Sequence, residues 1–187
     1  MSDLSDLLVL LPIAAFVALA AGLVVVFRGT GRIVARTREL EHFKTAVKDL
    51  AARVDASLGG AAGQIDAVRR RTLGPETIGE TLVAATDAVE RYADEARALR
   101  GPATARQIRA DLVAELERAE RALGMVEHGA SILVAARRGS RELEAQTSIK
   151  RGYLNLLHAR EAIARHALEA QDLDADDAAQ KAGQRIA

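Results

Sequence analysis

From the N-terminus, the first pattern is an absence of polarity. Leu7 to Phe27 is an unbroken run of 21 residues with no charged or strongly polar side chain. As a helix rising about 1.5 Å per residue it spans about 31 Å, the thickness of a bilayer's hydrocarbon core. Pro12 falls one turn into the run, where a missing N–H costs least. Asp3 and Asp6 precede the run, and Arg28, Arg32, Arg36 and Arg38 follow it. Arginine collects on the cytoplasmic side, so the pattern predicts residues 1–6 outside, a transmembrane helix over 7–27, and the rest of the chain in the cytoplasm at the inner membrane. A cleaved signal peptide would carry a basic segment ahead of its apolar stretch, and none is present, although Ala18-Leu19-Ala20 has the small residues of a cleavage site. A buried core helix of this length with no polar face is the other competing reading. Ala14, Ala18 and Gly22 lie four apart on one helix face, a small-residue surface through which membrane helices associate.

After the run the pattern becomes periodic. Leu40, Phe43, Val47, Leu50, Val54 and Leu58 recur at intervals of three and four, the stripe of a helix lying along a partner helix. It belongs to a basic juxtamembrane arm, 28–73, and reads as an association surface. Gly59, Gly60 and Gly63 crowd one stretch, and each glycine costs a helix about 1 kcal/mol relative to alanine. This predicts a hinge or a bent helix at 59–63. Gly74-Pro75 and Gly101-Pro102 are firmer breaks, because the residue before proline is pushed out of helical geometry. Between and beyond them run further stripes. One is Ile78, Leu82, Ala85, Val89, Ala93, Ala96 and Leu99. The next is Ala105, Ile108, Leu112, Leu116, Ala119, Leu123, Val126, Ala130 and Leu133. The last is Leu143, Ile149, Tyr153, Leu156 or Leu157, Ile163 and Ala167. Thr104 with Gln107 reads as a capping box, and Ser140 as an N-cap.

These breaks define helices over 75–100, 104–138 and 141–170. Connections so short predict a three-helix antiparallel bundle over 75–170, with 171–187 as a flexible tail. The expected fold class is all-α: one N-terminal transmembrane helix followed by an elongated antiparallel bundle or coiled coil. The sequence leaves open whether 32–72 packs on that bundle or pairs with a second chain.

Composition narrows the chemistry. Lysine plus arginine equals aspartate plus glutamate at 26 each, so no global positive field favours nucleic acid. The chain has no cysteine and no tryptophan, and only two tyrosines and three phenylalanines. A thiolate metal site, a disulfide frame and an aromatic base-stacking platform are thereby excluded. Gly59-Gly60-Ala61-Ala62-Gly63 follows no strand and precedes no Lys-Ser/Thr pair, so it is no phosphate loop. Glu39 with His42, and His158 with Glu161, sit one helical turn apart. A di-iron bundle needs two such pairs in one order plus further carboxylates on facing helices, so both are read as surface pairs. No cofactor, metal or small-molecule substrate is expected. Arg28, Arg32, Arg36 and Arg38 suit anionic headgroups as well as topology.

In outline the layout resembles bacterial membrane-anchored coiled-coil proteins, such as division-site scaffolds with spectrin-like bundles. It departs from the peripheral-stalk b subunit of ATP synthase, which needs one long helix, at the two Gly-Pro breaks. The function expected is that of a non-enzymatic, single-pass membrane-anchored scaffold. Its partners would be the lipid bilayer and either a second copy or a helical protein. A transmembrane signal relay through the 59–63 hinge is the alternative, and a bundle-core metal enzyme a remote third.

Overall fold

A computed structural model describes the backbone of residues 3–135 and 141–173 and the side chains of 35–135 and 141–173. Every regular element among these is helical. The α-helices are α1 (Asp3–Arg69), α2 (Gly79–Ala98), α3 (Arg106–Ala135) and α4 (Glu142–Gln171), and short 3-10 turns at Pro75–Thr77 and Ala103–Ala105 precede α2 and α3. The chain divides into two compact units, residues 1–39 and 40–187. In the first, the backbone from Asp3 onward is helical and residues 35–39 are exposed. Among the residues whose side chains are described, no helix is long and apolar enough to cross a membrane. The 7–27 run, the Ala14/Ala18/Gly22 face, Arg28 and Arg32 lie outside the residues whose side chains are described, as do Ser140 and the tail from 174 onward.

The second unit is a four-helix bundle, and its polar contacts fix the topology. Ser57 on α1 meets Tyr92 on α2 at 2.8 Å, and Gln64 meets Thr81 at 2.6 Å, so numbers rise along one helix as they fall along the other. Arg97 reaches Glu117 from α2 to α3 at 2.8 Å, and Ser148 of α4 donates to the Met125 carbonyl of α3 at 2.7 Å. Two contacts close the ring. Gln171 donates to the Lys44 carbonyl at 3.0 Å and Arg160 to Asp55 at 2.6 Å, which joins α4 to α1. Each helix runs antiparallel to both neighbours, as short connections dictate.

The arm is therefore the fourth helix of the bundle. Leu40, Phe43, Val47, Leu50, Val54 and Leu58 are each at most 2% exposed. All but Leu40 belong to one cluster that also takes in Leu82 and Val89 of α2, Leu116 and Leu123 of α3, and Leu156 and Ile163 of α4. The stripe read as an association surface is thus covered by the chain's own helices. Its seven-residue period was a sound signal of a partner helix, and the partners are intramolecular.

The hinge expected at 59–63 is absent, because the backbone stays helical through Gly59, Gly60 and Gly63. Gly59 serves packing instead. A Cβ there would lie 3.3 Å from Nη2 of Arg160, the side chain that crosses α1 to reach Asp55. Helix α1 ends at the predicted break with Arg71 in the left-handed region, φ 62°. The Thr72 N–H bonds to the Ala67 carbonyl and the Arg71 N–H to that of Val68, both at 2.9 Å, the paired bonds of a Schellman terminus.

The α3–α4 seam is built from small residues. A Cβ on Gly129 would sit 2.7 Å from the Ala145 carbonyl oxygen, and one on Gly152 would sit 2.6 Å from that of Ala122. With Ala159 they form rows seven apart: Ala145, Gly152 and Ala159 on α4, and Ala122 and Gly129 on α3, all buried. Two further local expectations differ from the structure. Thr104 lies inside the 3-10 turn rather than capping a helix, and its hydroxyl is buried with no hydrogen-bond partner among the described residues. Leu143 is 78% exposed, because α4 has only just begun there and its first covered residue is Ala145.

Candidate functional site

Among the described side chains, the residues singled out in the sequence do not converge on one place. Leu40 to Leu58 are interior, Arg36 and Arg38 are exposed, and the remainder fall outside the described side chains. Among the described residues no group of three or more histidines and carboxylates is placed to hold a metal ion. Functional geometry has to be sought on the bundle surface, where the two ends differ.

At the end where α1 stops and α4 starts, Arg69, Arg70, Arg71 and Arg141 have carboxylate partners. Asp66 accepts from Arg69 at 2.6 Å and from Arg70 at 2.7 Å. The Arg69 hydrogen bond, more than any other influence, holds the Asp66 carboxyl below its ordinary value. Arg71 reaches across to Glu142 at 2.6 Å. Arg141 grips Glu144 with two bonds of 3.0 and 3.1 Å, which lowers the pKa of the carboxyl and raises that of the guanidinium. A shallow cavity of about 240 Å³ lies among Val68, Arg71, Leu133, Glu142 and Ile149.

The opposite end is built around the α2–α3 turn. The fifteen residues Ala96 to Ala110 include Arg97, Arg100, Arg106 and Arg109 and no acidic residue. Arg97 is engaged by Glu117 and Asp94, each at 2.8 Å, and its pKa is raised chiefly by the Glu117 bond. Arg109 is half-buried and donates to the Leu99 carbonyl at 3.0 Å. Neither Arg100, Arg106 nor Arg109 has a carboxylate within ion-pair distance among the described residues. A cavity of about 290 Å³ opens here, lined by Phe43, Gly101, Pro102, Ala103, Ala105, Arg106 and Arg109. Its shape depends on Gly101, where a Cβ would come within 2.7 Å of the Phe43 ring. Helix α3 starts at this cavity with no acid in its first turn, so its positive dipole end and the two arginines add rather than cancel. The arrangement favours an anion.

The turn was missed in the sequence because each arginine there is isolated, unlike Arg69-Arg70-Arg71. The available signal was the fifteen-residue stretch carrying four arginines and no acid.

A polar clamp also joins α1 to α2. Arg53 forms a two-pronged pair with Glu95, and its guanidinium lies 5.6 Å from the centre of the Tyr92 ring. The Glu95 bond dominates in raising the Arg53 pKa. No family model matches the chain, and neither the curated proteins nor the solved structures searched give a match.

Proposed function

We propose that the chain is a non-enzymatic, single-pass membrane-anchored helical scaffold, with residues 1–6 outside and the four-helix bundle in the cytoplasm at the inner membrane. One observation carries the reading: the 21-residue uncharged run Leu7–Phe27, followed by Arg28, Arg32, Arg36 and Arg38 with no basic residue before it. The bundle supports it by leaving the outer faces of its helices, and not its core, for contact with partners. Self-association belongs to the Ala14/Ala18/Gly22 face, since Leu40–Leu58 is occupied from within. The signal-relay alternative loses the hinge on which it rested, because 59–63 is helical.

Membrane extraction combined with fusion reporters tests the proposal. The full chain should stay in the pellet through alkaline carbonate. Green fluorescent protein fused after Ala187 should fluoresce, and alkaline phosphatase at the same position should be inactive. Release by carbonate, or an active phosphatase fusion, overturns the reading.

A further inference from the structure

We propose that the α2–α3 turn is a binding site for a phosphate group. Arg106 and Arg109 would hold it in the cavity above Phe43, and Arg100 would add to the positive potential. Guanidinium groups present paired N–H donors that match phosphate oxygens, and a helix start adds a favourable dipole. Two of the three ingredients are ordinary when taken separately. Their coincidence with a cavity is the informative feature.

The charge placement runs against what folding alone favours. Acidic side chains belong in a helix's first turn, and α2 and α4 follow this with Glu80, and with Glu142 and Glu144. Helix α3 instead begins with Arg106 and Arg109 and has no acid in that turn. The carboxylates of Asp94 and Glu117 are engaged with Arg97, and Asp111 accepts from Gln107 at 2.9 Å. An external anion would complete the balance that the chain leaves open.

Cavity size restricts the ligand. At about 290 Å³ it lies at the lower edge of the roughly 300–1,000 Å³ typical of small-molecule sites. That suits a phosphate mono- or diester headgroup better than a whole nucleotide. Phe43, 1% exposed and covered by Gly101, forms the floor of the cavity. The phosphate has two candidate sources, a soluble ester and an anionic lipid headgroup.

Hydrogen exchange of the 99–109 backbone in the full-length chain tests both sources. One arm keeps the protein in dodecyl maltoside micelles and compares inorganic phosphate with chloride at equal ionic strength. The other compares phosphatidylcholine vesicles with and without phosphatidylglycerol. Saturating ligand should slow exchange in the turn by about tenfold. Arg106→Gln should abolish the protection and Arg106→Lys should retain part of it, whereas Arg69→Gln at the far end should leave it intact. Arg106 is exposed, so its variants retain the fold, which circular dichroism verifies. Protection by inorganic phosphate assigns a soluble ester, and protection only by phosphatidylglycerol assigns a headgroup. No protection in either arm, or protection that survives Arg106→Gln, overturns the proposal. The micelle arm requires no particular topology, so its outcome is independent of the anchor reading.

Discussion

Helix α1 and helix α4 both border the core, yet their seams are made by opposite means. Along α1 the interior is filled by Phe43, Val47, Leu50, Val54 and Leu58, and ionic contacts bracket it: Arg53 with Glu95 on one side and Asp55 with Arg160 on the other. Along the α3–α4 seam, Gly129, Gly152, Ala122, Ala145 and Ala159 let one backbone come against the other. Large side chains bury area. Small ones allow close approach, which gains dispersion contacts along the backbone and leaves no room for added atoms. The difference shows that glycine content alone says little about flexibility. Gly60 and Gly152 are both helical, yet Gly60 faces open space and Gly152 faces a carbonyl oxygen.

The largest expected effect is on the α1 side. Leu50→Ala should lower unfolding stability by about 2–5 kcal/mol, since it leaves a cavity at a residue 1% exposed. Guanidinium unfolding followed by circular dichroism measures this, and a neutral result would mean that α1 does not sit in the core. One substitution made at two places should next give opposite signs. Gly152→Ala should destabilise by about 1–3 kcal/mol, as overpacking does. Gly60→Ala, where nothing lies within 4 Å of the new methyl, should stabilise by about 0.5–1 kcal/mol. Equal signs would remove the distinction between the seams.

The ionic brackets rank lower. Arg53 and Glu95 are each 41% exposed, so solvent screening restricts a double-mutant cycle to about 0.2–1 kcal/mol. The coupling should shrink further as salt is added. The smallest effect is acid dependence. The Asp66 and Glu144 carboxyls are held below their ordinary values of 3.8 and 4.5, so their stabilising pairs are intact above those values and are lost as the pH falls through the folded-state values. Asp66→Asn should therefore lie below the parent in stability near neutrality. The two should converge under strong acid, as pH-stepped thermal unfolding would show.

The same contrast explains how much was legible in the sequence. Stripes of leucine, isoleucine, valine and phenylalanine stand out against polar neighbours, so the helices and the Gly-Pro breaks were readable from their spacing. The choice between an internal and an external partner for Leu40–Leu58 was not, because periodicity records that a helix faces another and not which chain supplies it. In an alanine-rich chain the rows 122/129 and 145/152/159 hide among 39 alanines, so the tight seam left no signal that composition would distinguish. Glycine at 59–63 was misread for a related reason, since its helical cost is set by what surrounds it. The cationic turn was legible only as a fifteen-residue stretch with four arginines and no acid. The cavity beside it needed Phe43 of α1, which only the fold brings there.

The closing contact between α4 and α1 has a consequence for biosynthesis. Arg160 follows Asp55 by 105 residues, and at about 5–20 residues per second a ribosome needs about 5–20 s to deliver it. Throughout that interval the flank of α1 that α4 will cover is naked in the nascent chain. Helix α4 seals α1, so a premature stop anywhere before α4 leaves a greasy groove for chaperones or neighbouring ribosomes' products to occupy.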